Sequence, residues 1–315
     1  IIKNEGNITI KNANMQIDYV PDELLDTGED GTQKEYISAI INYGQTTILS
    51  GNIISMTQAR IIENLNGKVT ILDGAYLEGN GTNVVAINNR AEMEITGGEL
   101  LDKQGQLISN RGGNMIISWN PKLEGLGSNA TIANVYDGIL EITGGEINSL
   151  QSNVIYNKEG TATIGGNVSI EGKGENNTTS VAVGNTSKMQ ITGGTIISSN
   201  VTTVYNSGGE MSISGNTSIE YDGDSRMAVN NTGTMSINEN VSIVTSYVTI
   251  NNRGTMDITG GNIVSETSNV INNINDGNLT ISGEATMEGR GTESPTVANT
   301  KGTVEITGGE FNSLQ

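Results

Sequence analysis

The chain has 315 residues, a formal net charge of −19 and 34% hydrophobic residues, with 42 glycines but only 3% aromatics. Its acidic balance argues against nucleic acid or an anionic membrane surface as partner, because both select basic patches. With no Cys and no His, disulfides and thiol nucleophiles are excluded, and the commonest general base and transition-metal ligand are missing.

The first residues, IIKNEGNITI, begin in the middle of a pattern, with neither an initiator Met nor a signal-peptide motif. They read as a piece of a longer protein. No apolar run approaches the 18 or more residues of a membrane span, so membrane insertion is not expected. The phrase ending at Ile10 recurs after a single interruption, IDYVPDELLDTGEDGTQKEYI at 17–37, an acidic insertion into an otherwise regular array. Hard cations take several carboxylate and carbonyl oxygens, and DTGEDG offers them close together. The candidate calcium ligands are therefore Asp26, Glu29 and Asp30. The stretch lacks EF-hand spacing, and a solvated loop accounts for the same charges.

From Ile48 onward the array is regular. Aligned on one isoleucine, the phrase occurs at Ile10, Ile48, Ile71, Ile95, Ile117, Ile142, Ile164, Ile191, Ile213, Ile237, Ile258, Ile281 and Ile306. The steps after Ile48 are those of one supersecondary unit, which buries its apolar side only by stacking on neighbours. Residues 1–315 are therefore expected to form one domain. In NNTGTMSI (230–237), Met235 and Ile237 alternate with polar residues in the period of a half-buried strand. Glycine stands four positions before the isoleucine in most copies, from Gly44 to Gly302, with Ala91 and Ser187 as exceptions. A glycine at a fixed offset marks a corner that needs positive φ or close backbone approach.

Asparagine stands three residues before that corner at Asn64, Asn88, Asn110, Asn157, Asn206, Asn230, Asn251 and Asn299. Stacking coils places such amides in a column, each donating to the next. Short apolar runs such as NVIYN (153–157) and NVINN (269–273) precede it and supply another strand. After the isoleucine a second corner takes two forms. The ITGG form reaches the next apolar residue in five positions, as at Leu100 and Ile147, and the longer form takes six, as at Leu77 and Ile170. The two forms mostly alternate, so EITGGEINSLQ (141–151) and EITGGEFNSLQ (305–315) are layers of one kind.

Three short strands per coil with no helical pattern between them predict an all-β fold, a single-stranded right-handed parallel β-helix of about thirteen coils. On these motifs the chain resembles the pectin-lyase-like superfamily. The alternating I-T-G-G-x-I and I-x-G-N-x-S-I coils resemble the pectate-lyase-like adhesive repeats of Gram-positive surface proteins. That resemblance implies a non-catalytic stalk, on the cell surface or secreted, that binds a glycan or a protein, and open coil ends allow end-to-end self-association.

The alternatives are a polysaccharide lyase or hydrolase and a filament or phage-fibre subunit. Paired acids are the mark of such hydrolases. Glu94, Glu141, Asp257 and Glu305 share one outward slot, and Glu99, Glu146 and Glu310 share another. Thr163, Gln190, Ser212, Ser236 and Thr280 fill the first slot elsewhere, as a merely polar face would. Arg90 and Arg111 are the nearest approach to a basic cluster. Asp222 and Asp224 form a smaller acidic pair.

Overall fold

The structure, a computed structural model, describes residues 2–18, 37–175, 179–223, 225–292 and 294–313. Asp26, Glu29, Asp30 and Asp224 lie outside the described residues. Among those described there is no helix, and strands stack in parallel from coil to coil. One sheet holds thirteen strands, one from each coil, from Ile2–Asn4 through Val85–Asn89 to Val297–Thr300. Eleven of these lie between two neighbours, the other two being the sheet's edges. The second sheet, of 22 strands, carries two columns side by side. In the coil of Ile95 they are Glu92–Ile95 and Glu99–Asp102. The molecule is a parallel β-solenoid.

The register follows the isoleucines. Ile10 pairs with Ile48, Ile48 with Ile71 and Ile71 with Ile95, and the column continues to Ile281 and Ile306. Each turns inward because strand side chains alternate between faces and the core side takes the β-branched residue. A second inward column runs through Leu77, Leu100, Leu123, Ile147 and Ile170, so the two corner forms reach the same depth by different path lengths. A third runs through Ile40, Ile62, Ile87, Ile108 and Ile132. All of these are buried except Ile306, on the last coil. The core is a narrow aliphatic column, which suits a sequence with few rings.

In four coils the second and third strands are not separate. They run as one bent strand over Gln45–Ser55, Lys68–Gly79, Lys188–Ser198 and Glu210–Tyr221, with a register shift at the bend.

The asparagine column is an unbroken ladder of thirteen. Asn4 donates its Nδ2 to Asn42 at 3.0 Å, Asn42 to Asn64 at 2.8 Å and Asn64 to Asn89 at 2.7 Å. The chain of amides continues through Asn110, Asn134, Asn157, Asn185, Asn206, Asn231, Asn252 and Asn273 to Asn299. The expectation from a fixed offset named Asn88, Asn230 and Asn251, whereas the ladder residues are their successors Asn89, Asn231 and Asn252. The corner after the ladder varies in length, two residues from Asn231 to Gly233, three from Asn206 to Gly209 and four from Asn134 to Gly138. In each case the same amide closes the corner by donating to the carbonyl at its end.

Of the two reasons for a corner glycine, close approach is the commoner, and Gly67, with φ of 74°, combines both. Gly233 does not have positive φ, but a Cβ there would sit 2.2 Å from the Gly209 carbonyl oxygen. Left-handed glycines mark the second corner instead, at Gly98, Gly145, Gly194, Gly261 and Gly309.

Candidate functional site

Most inward slots are taken by aliphatic residues or ladder amides, which leaves chemistry chiefly to the outward rows and corners. The acids sharing a slot do not meet. Along the outward row, Glu94 is followed by Ile116, Glu141 by Thr163, and Asp257 by Thr280 before Glu305. No two of these four carboxylates lie on adjacent coils, and Glu94 is held by Lys68 at 2.6 Å. In the second slot Lys122 stands in register between Glu99 and Glu146, giving alternating charge, and Glu310 neighbours Thr286.

Arg90 and Arg111 do come near each other. Burial, with Arg111 adding repulsion, holds the Arg90 guanidinium below the usual range. Arg90 lies 3.7 Å from Glu63, which is ion-paired to Arg60 and accepts from Asn88 Nδ2 at 2.7 Å. The displaced ladder candidate Asn88 thus serves this charged group. Asp222 is exposed, and among the described residues no group of three acids could hold a metal ion.

On the same outward row, a shallow depression of about 100 Å³ is lined by Lys188, Gln190, Glu210, Ser212, Ser236 and Asp257. Lys188 and Glu210 are register neighbours. Glu210 and Asp257 lie two coils and two residues apart, roughly 12 Å between backbones. Paired glycosidase carboxyl groups stand about 5–9.5 Å apart.

Three side chains escaped the pattern-based reading. Asp102 occupies a slot that neighbouring coils fill with Gly79 and Gly125, and it is buried. Burial pushes its carboxyl up to about 6, against the N–H groups of Gly105 and Gln104 that donate to it. The other two are Trp119 and Tyr136, 75% and 57% exposed and both in the left-handed region, with φ of 64° and 53°. The readable signal was the slot. Gly166, Gly215 and Gly283 stand where Trp119 stands in their own coils, and Asn275 stands where Tyr136 does. The Arg111 guanidinium lies 4.4 Å from the centre of the Tyr136 ring.

Comparison with protein-family models, with curated proteins and with solved structures gave no match.

Proposed function

We propose that this chain is a non-catalytic structural and adhesive segment of a bacterial cell-surface or secreted protein, presenting a glycan- or protein-binding surface on a stiff rod. The observation that carries the reading is the contrast between inside and outside. Inward columns and the ladder repeat in every coil, while outward rows change residue type from one coil to the next. A stack of about thirteen coils at about 4.8 Å each is on the order of 60 Å long. Such a rod holds different surfaces at fixed heights, and among the described residues few reactive groups converge. The likeness of its ITGG coils to pectate-lyase-like adhesive repeats supports the same reading. Incubation with purified glycans and proteins should give saturable binding without new reducing ends or unsaturated products.

The depression around Lys188, Glu210 and Asp257 favours a second reading, a polysaccharide lyase or hydrolase. Turnover of any glycan that is lost in Glu210→Gln or Asp257→Asn would establish it and overturn the first.

A further inference from the structure

Trp119 is the only tryptophan of the chain. It stands exposed at a corner where three coils of the same form place a left-handed glycine, and Tyr136 occupies a left-handed position on the next coil. Large rings are disfavoured in that backbone region, and such outliers collect at ligand clamps. Packing does not require either ring, because the same slots elsewhere hold Gly or Asn. The backbone beneath them is nonetheless fixed. A Cβ on Gly144 would meet the Trp119 carbonyl oxygen at 2.4 Å, so that corner is stacked directly on its neighbour.

The two corners that carry the rings flank one face of the solenoid, with the Arg111 guanidinium against the Tyr136 ring. Between them lie the outward residues of two paired strands, Asn114 beside Ile139 and Ile116 beside Glu141. Ile139 is 54% exposed, although its row elsewhere carries Glu92, Thr161 and Lys188. From one corner to the other is about five residue rises, roughly 17 Å. The result is a flat strip with a ring near each end, an apolar floor, and an amide and a carboxylate between.

We propose that this strip binds a neutral oligosaccharide, with Trp119 and Tyr136 stacking on sugar rings near its two ends and Asn114 and Glu141 hydrogen-bonding hydroxyls. The proposal rests on the adhesive reading and deepens it. The C–H groups on a pyranose face carry partial positive charge and suit the negative face of an aromatic ring. A protein partner fits less well, because hot-spot aromatics gather in one desolvated centre, whereas these stand apart near the two ends of the strip. An anionic chain meets Glu141 and the net charge of −19, and a cationic one meets Arg111.

Because Trp119 is unique, intrinsic fluorescence reads the site directly in the full chain. Neutral homo-oligomers of glucose, mannose, galactose, xylose and N-acetylglucosamine, from one to six units, serve as probes. The expected result is a saturable emission shift with at least one series, strengthening tenfold or more from monomer to tetramer. Tyr136→Ala should weaken that binding at least tenfold while the parent's melting temperature is kept, and Tyr247→Ala, an exposed tyrosine elsewhere, should leave it unchanged. A shift that survives Tyr136→Ala, or the absence of a shift with every series, overturns the site. So does equal protection of Trp119 from acrylamide by a glycoprotein and by its deglycosylated polypeptide, which would assign the strip to protein recognition. Immobilised glycans separate this failure from that of the adhesive reading. If the parent and Trp119→Ala bind them equally, only the strip falls, and if the parent binds neither these glycans nor immobilised proteins, both fall.

Discussion

Asn157 is fully buried and carries two ladder bonds, accepting from Asn134 at 2.9 Å and donating to Asn185 at 2.8 Å. Removing its amide deletes four hydrogen bonds, the two ladder bonds and those it donates to the Gly160 and Lys188 carbonyls, at about 0.5–1.5 kcal/mol each. Asn157→Ala should therefore lose about 2–5 kcal/mol in denaturant melts, and Asn299→Ala, at the exposed end of the ladder, distinctly less. Asp102 gives a pH test. Its folded carboxyl, at about 6, holds a proton more tightly than the ordinary Asp near 3.8. Its contribution is therefore most favourable below the unfolded value and is lost as pH rises through about 6. Two units correspond to roughly 3 kcal/mol at pH 7. Asp102→Asn keeps an oxygen for the Gly105 and Gln104 N–H groups and should be the more stable chain at pH 7. Its advantage over the parent should close as pH falls from about 6 to 4. An advantage that does not change with pH would show that Asp102 is ionised as easily folded as unfolded.

At the scale of the coil, two glycines separate two kinds of constraint. Gly233 has ordinary φ but lies against the neighbouring coil, and Gly208 has φ of 79° with nothing within 4 Å of an added Cβ. Gly208→Ala should cost about 1–2 kcal/mol of backbone strain. Gly233→Ala must push two coils apart, so it should cost more, at the upper end of the roughly 1–3 kcal/mol of overpacking. Equal losses would mean that the coils move apart freely. The same contrast marks how far the chain could be read without coordinates. The inward isoleucines and both corner forms were legible, because burial imposes one residue type at one depth in every coil. Corner lengths were not, because Asn can close a turn of two, three or four residues with the same amide. A fixed offset consequently named Asn88 where Asn89 carries the ladder. Trp119 and Tyr136 were hidden for a related reason. Periodicity reports the inside of a solenoid, and their meaning lies in corner φ and exposure.

For the whole molecule, the interior coils differ from the described C-terminal coil in one measurable respect. Ile281 and Met287 are fully buried, while their register partners Ile306 and Phe311 are 51% and 37% exposed. The strands at that edge, Thr303–Ile306 and Glu310–Ser313, have a neighbour on one side only. Unpaired strand edges beside exposed core residues are templates for another chain. In the 315-residue chain this face should drive concentration-dependent association, visible as rising mass in light scattering. Phe311→Glu should suppress it, since burying an unpaired carboxylate at the contact is costly. The interior should be indifferent to that change, so the amide of Ile191 should exchange with solvent at the same slow rate in both chains, while Glu305 and Ile306 exchange faster. If the parent stays monomeric at high concentration and Ile306 is as protected as Ile191, the terminal coil is closed by contacts of its own, and a sticky end is not how this rod meets its neighbours.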